Sequence, residues 1–157
     1  MPTEIEGDLV AEGKRFAIVS GRWHAQFAEK LQEGAVDTLV RHGAADDDIL
    51  IFRCPGSFEI PQVAGRVAER AQVDAIICLG VLIRGETPHF DYIAGETSSG
   101  IGRVGWHENI PVSFGVLTCD TMEQAMARSG SKAGNKGAEA AEAAIEMANL
   151  YEEIDQR

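Results

Sequence analysis

The residues able to do chemistry gather in a few short stretches. Arg84-Gly85-Glu86-Thr87-Pro88-His89 is a polar turn between an apolar run ending at Ile83 and a segment that turns helical from about Asp91. A strand, a glycine-containing turn and a helix start together present free backbone N–H groups to an anion, and Asp91 suits the first turn of that helix. His89, four residues after Gly85, places a titratable group beside the anion pocket. The chemistry this turn can support is proton transfer next to a bound phosphate, although a single histidine there also serves as a capping or packing residue. Glu59, beside Pro55-Gly56-Ser57-Phe58, can accept hydrogen bonds from a polyol. Trp23, just past an apolar run, can stack on a planar heterocycle or lie over the core edge. Arg128 and the pair Lys132 and Lys136 can add positive charge. Phe114 can form an apolar wall, or belong to the core.

Other patterns exclude themselves. Gly100-Ile101-Gly102-Arg103-Val104-Gly105 matches G-x-G-x-x-G, but it falls late in a helical segment and precedes a strand, the reverse of the order a dinucleotide needs. There is no Ser-His-Asp set, nucleophile elbow, kinase signature or P-loop. Cys54, Cys78 and Cys119 have no metal or redox spacing and read as buried free thiols. The four histidines show no paired metal spacing either. A net charge of −11 argues against sequence-independent nucleic-acid binding. It also repels anionic substrates at long range, so a phosphate site must concentrate positive groups locally. The apolar runs are about strand length, short of the ~20 residues a membrane span requires. The acidic start, Met1 to Asp8, lacks a signal-peptide pattern, so a cytoplasmic protein is expected.

These residues need a scaffold. With 157 residues and 45% hydrophobic content the chain can bury one substantial core. Residues 1–14 carry little pattern and read as a mobile or partner-docked arm, with residues 15–157 as one domain. Phe16–Ser20, Ile49–Phe52, Ala75–Leu79 and Pro111–Leu117 read as buried strands. Helical spacing runs from His24 to His42, after Pro61, from about Asp91, from the Thr121-x-x-Gln124 capping box to about Arg128, and from Lys136 through an alanine-rich stretch. Ser129 to Asn135 reads as a loop. Strand and helix in alternation predict an α/β fold with a parallel sheet covered on both faces, and ligands then belong outside the carboxyl ends of the strands. The residues singled out above fall mostly at those ends.

Pro55-Gly56-Ser57-Phe58-Glu59-Ile60-Pro61, Gly80 through Asp91, and Gly134-Asn135-Lys136-Gly137 together resemble the lumazine synthase family of riboflavin biosynthesis, over about Phe16 to Tyr151. The resemblance implies a flavodoxin-like three-layer α/β/α sandwich on a four-stranded parallel sheet, with the N-terminal arm free to add a strand to a neighbouring subunit. It implies condensation of 5-amino-6-(D-ribitylamino)uracil with 3,4-dihydroxy-2-butanone 4-phosphate to 6,7-dimethyl-8-ribityllumazine, phosphate and water, without metal or organic cofactor. Carried over by position, Trp23 would stack on the pyrimidine, where the family usually has phenylalanine. Ser57 and Glu59 would hold the ribityl chain, Phe58 between them would also bind substrate, and Val81, Leu82 and Ile83 would line the pyrimidine end. Gly85, Glu86 and Thr87 would bind phosphate with Arg128, and His89 would transfer protons. Phe114 would come from the adjacent subunit, with Lys136 near the ribityl chain. Family members form pentamers, some of which assemble by twelves into an icosahedral shell. Ser129 to Gly137 has no insertion relative to the shell-forming pattern, so a sixty-subunit shell is permitted. His24 departs from the usual asparagine and has no assigned role. The competing readings are a ribityl-ligand binding protein without turnover, a catalytically idle shell protein, and a flavodoxin-like electron carrier.

Overall fold

The computed structural model describes residues 1–157. Four strands, β1 (Phe16–Gly21), β2 (Ile49–Cys54), β3 (Ala75–Ile83) and β4 (Val112–Cys119), form one sheet in the order β2-β1-β3-β4, with every neighbouring pair parallel. Side chains alternate between its faces. Phe16, Ile18, Ile77, Leu79, Val81 and Leu117 enter one core, while Ala17, Val19, Ile76, Cys78 and Val116 enter the other. Both faces are covered, which is why the strands read as continuous apolar runs.

The first face carries α1 (Ala25–Arg41) and α5 (Lys136–Asp155). Phe27, Leu31, Ala35 and Leu39 form the buried stripe of α1, and Ala140, Ala141, Ala144, Ile145 and Ala148 that of α5. Small residues let these helices approach closely. The second face carries α2 (Ile60–Arg70) and α3 (His89–Glu108), through Ile60, Ala64, Val67, Ile101 and Val104. Gly100 to Gly105 lie inside α3, as their position before a strand required.

Helix ends follow local chemistry. The short α4 (Met122–Arg128) opens with the expected capping box: Thr121 Oγ1 accepts from the Gln124 N–H at 3.2 Å, and Gln124 Oε1 accepts from the Thr121 N–H at 3.4 Å. At the start of α5, Asn135 Oδ1 accepts from the N–H groups of Gly137 (2.8 Å) and Ala138 (3.1 Å). The Asn135 amide also donates to the Lys30 carbonyl at 3.0 Å, tying α5 to α1.

The segment expected as a loop folds differently. Ser129–Ser131 (β5) and Gly134–Asn135 (β6) form a small antiparallel hairpin. Positive φ at Gly130 (113°) and Gly134 (78°) lets so few residues reverse direction, a signal that glycine content alone does not separate from a loop. At the N-terminus, Ala11 is fully buried and the Asn149 amide of α5 donates to the carbonyls of Asp8 and Val10. Residues 1–6 form no helix or strand and lie exposed. No helix is long and apolar enough to cross a membrane.

Candidate active site

After β1, the chain pairs β2 on one side and β3 on the other. Loops leaving β1 and β3 therefore diverge, opening the crevice in which such sheets bind ligands. A cavity of about 420 Å³ lies there. Val81, Leu82 and Ile83 from the end of β3 form its apolar back, with Phe90 and Ile93 of α3 beside them. Trp23 and His24 stand on one side, Ser57, Phe58 and Glu59 form a second wall, and Gly85, Thr87 and His89 form a third. That size is within the range of small-molecule sites.

Local structure explains each placement. The Trp23 N–H continues the strand pairing by donating to the Pro55 carbonyl at 3.1 Å. His24 follows in the left-handed region (φ 58°, ψ 49°), and its carbonyl accepts from the N–H groups of Phe27 and Ala28, starting α1. A non-glycine residue held there marks local strain at a site. His24→Val, whose branched Cβ fits this region poorly, is expected to lower unfolding stability by about 1–3 kcal/mol, with His24→Gly near neutral, as read by urea unfolding.

Ser57 is buried, and its hydroxyl has no hydrogen-bond partner in the protein. The Thr97 hydroxyl of α3 donates to the Ser57 carbonyl at 3.1 Å, anchoring this turn to the helix. Gly80 makes room for it, since a Cβ there would come 2.6 Å from Ser57 Oγ. Glu59 is half-buried; one carboxylate oxygen accepts from the Gly56 N–H at 3.1 Å, while the other has no protein partner. An unpartnered buried hydroxyl beside a half-satisfied carboxylate is a ready acceptor pair for a polyol.

On the third wall, none of the amides of Gly85, Glu86 and Thr87 donates within the protein. These donors precede the N-terminus of α3 and suit an anion. Arg84 is committed elsewhere. Its Nε donates to Asp120 at 2.9 Å, its Nη1 to Asp91 at 3.1 Å, and its guanidinium lies 4.5 Å from the centre of the Phe90 ring. The Asp120 hydrogen bond, with Asp91, holds its pKa above the ordinary arginine value. Arg84 thus braces the turn rather than lining the cavity.

Nearby thiols are poor nucleophiles. Burial, then the Glu59 charge, raises the Cys54 pKa, and complete burial raises that of Cys78 far more. No three His, Cys, Asp or Glu side chains converge as ligands.

Four sequence candidates stand outside this cavity. Glu86 is exposed on the turn and does not line it. Arg128, at the end of α4, donates to the Gln124 carbonyl at 3.1 Å and lies near enough to Cys119 to oppose the rise of its thiol pKa. Phe114 and Lys136 line a different groove, of about 520 Å³, between α3 and α5 beside β4. A single chain therefore assembles Trp23, Ser57, Phe58, Glu59, the end of β3, Gly85, Thr87 and His89, but not Glu86, Arg128, Phe114 or Lys136. Phe90 and Ile93 escaped the residue-level reading; their three-residue spacing on a helix was the available signal.

Comparison with known proteins shows the family. The family model described as 6,7-dimethyl-8-ribityllumazine synthase matches residues 13–152. A protein of that name from Chlorobaculum tepidum is 55% identical over 150 residues, covering 96% of this chain and 97% of its own. Another from Desulfotalea psychrophila is 53% identical over 154 residues, covering 98% and 99%. The cavity sits on the flavodoxin-like scaffold of that family, and the chain belongs to it: it is an enzyme of the 6,7-dimethyl-8-ribityllumazine synthase family, the transferases of riboflavin biosynthesis.

Proposed function

We propose that this chain condenses 5-amino-6-(D-ribitylamino)uracil with 3,4-dihydroxy-2-butanone 4-phosphate, giving 6,7-dimethyl-8-ribityllumazine, phosphate and water. One observation carries the reading. The walls of a single cavity supply an aromatic plate, a polyol acceptor pair and a row of unpaired amides beside a histidine. A heterocycle, a ribityl chain and a phosphate need those three surfaces.

Trp23 stacks on the pyrimidine against Val81, Leu82 and Ile83, and Ser57 and Glu59 accept from the ribityl hydroxyls. Phe58 closes the ribityl side. The amides of Gly85, Glu86 and Thr87 hold the phosphate of the second substrate. The ring amine adds to the ketone and water leaves as an imine forms. His89 moves the protons required, including the one removed as phosphate departs. The ribitylamino nitrogen then adds to the carbonyl that phosphate loss uncovers, and a second water leaves as the second ring closes. Every step is an addition, an elimination or a proton transfer, with no net redox change. Holding two reactants face to face can contribute about 7–11 kcal/mol to lowering the barrier.

The site is completed by assembly. Phe114 and Lys136 beside β4 of one subunit close the cavity of the next, and Arg128 brings the cation that the acidic chain needs at the phosphate. A ring of five subunits in the cytoplasm is the expected unit, with a sixty-subunit shell permitted and the N-terminal arm free to pair with a neighbour.

Mixing the purified chain with both substrates should produce the fluorescent lumazine well above the uncatalysed rate. Binding of the uracil without acceleration would favour a ribityl-binding protein instead. Inactive His89→Ala and Arg128→Ala chains, refolded together, should regain about a quarter of normal turnover, because random rings pair one intact half-site with another in that proportion. No recovery would place His89 and Arg128 in the same subunit's site.

A further inference from the structure

Trp23 rests on bare backbone. A Cβ built on Gly56 would lie 2.3 Å from Cε3, 2.6 Å from Cζ3 and 3.1 Å from Cδ2 of the Trp23 indole. The backbone at Gly56 is extended (φ −147°, ψ −172°), a conformation any residue adopts, so chain geometry does not demand glycine there. Space does. The larger ring of the indole fills the volume that a side chain at position 56 would need.

The main chain beneath is closely fitted as well. A Cβ on Gly21 would come 3.2 Å from the Gly56 carbonyl carbon, so the ends of β1 and β2 run close together. The Arg22 N–H donates to the carbonyls of Cys54 (2.9 Å) and Pro55 (3.1 Å), and the left-handed His24 turns the chain away directly after Trp23. These constraints fix the direction of the indole, and Gly56 fixes its depth. With 65% of Trp23 still exposed, its free surface faces the cavity that it lines. The Gly56 N–H also donates to Glu59, so one residue supports both the aromatic plate and the polyol acceptor.

We infer that Gly56 is a positioning residue for the heterocycle: its missing side chain lets the Trp23 indole lie back far enough for a second planar ring to enter. The inference rests on the proposed reading of the cavity, yet the seat itself can be tested without substrate. The chain has two tryptophans, so in a Trp106→Phe background Trp23 is the sole indole. There, Gly56→Ala is expected to shift Trp23 emission to the red as the indole is pushed into solvent. Quenching by 5-amino-6-(D-ribitylamino)uracil should show a Kd raised about tenfold, with KM rising in step and kcat changing less than about threefold. Adding Trp23→Phe removes the clashing second ring. Gly56→Ala should then cost less than about threefold relative to Trp23→Phe alone, a non-additive pair.

An unchanged emission and Kd in Gly56→Ala would overturn the inference, as would a tenfold loss that persists in the Trp23→Phe background. If Gly56→Ala folds only alongside Trp23→Phe, the seat is supported; if it folds in neither background, the glycine serves the fold and the inference fails. A shifted emission with no uracil binding by the parent chain would overturn the reading of the cavity, and with it the positioning role, while leaving the packing intact.

Discussion

His89→Ala should lower kcat by about 100- to 10,000-fold while leaving the Kd of the ribityl substrate within a few-fold of normal. The split follows from where His89 sits. It is the first residue of α3 and exposed, and its side chain makes no hydrogen bond within the protein, so its removal leaves neither a cavity nor an orphaned group behind. Trp23, Ser57 and Glu59 stand on the other walls and keep their supports. A comparable rise in Kd would make His89 a binding residue rather than the proton-transfer group. A kcat within a few-fold of normal would remove it from the mechanism. Single-turnover kinetics with saturating dihydroxybutanone phosphate would separate proton transfer from product release.

Gly137→Ala is expected to destabilise the fold although it adds a single methyl group. Its Cβ would lie 1.9 Å from the Leu31 carbonyl oxygen and 2.7 Å from the carbonyl carbon. Both are backbone atoms of α1, so no rotamer change relieves the clash and the helices must separate. Alanine gains about 1 kcal/mol of helix propensity over glycine, but overpacking of this kind costs about 1–3 kcal/mol or more. Backbone against backbone lies at the upper end, so a net loss of about 2 kcal/mol or more is expected in urea unfolding. Gly65→Ala is the opposite control. Its Cβ would meet only Val104 Cγ2 at 3.9 Å inside α2, so a gain of about 0.5–1 kcal/mol should appear. Equal effects at the two positions would mean that α1 and α5 are not in such close contact.

Much of the scaffold was legible because its signals are local. Apolar runs covered on both faces, the Thr121 to Gln124 capping box and the alanine stripe of α5 each follow from a few adjacent residues. The hairpin at Ser129–Asn135 was not legible, since a glycine-rich segment reads alike whether its glycines serve a loop or a tight turn. Three walls of the candidate site were legible for a topological reason: the switch between β1 and β3 gathers strand ends that sequence could already mark as polar. Arg84, a cation on the anion-binding turn, is not free to serve the anion. Its two aspartate partners, one of them at the end of β4, are visible only once the strands are aligned. Gly56 was legible as a turn residue but not as a seat, because its neighbour Trp23 is distant in sequence.

The outer edge of β4 has a meaning beyond ligand binding. β4 pairs only with β3, and Phe114 is exposed on it next to an apolar groove holding Trp106, Met147 and Tyr151. An unpaired strand edge with apolar neighbours is a template for indiscriminate strand addition. A newly made chain left alone is therefore prone to aggregate, and its folding yield should depend on how quickly that edge is covered. If the same surface completes the catalytic cavity, covering that edge and completing the site are one event, and a chain that leaves the edge open is also an incomplete enzyme.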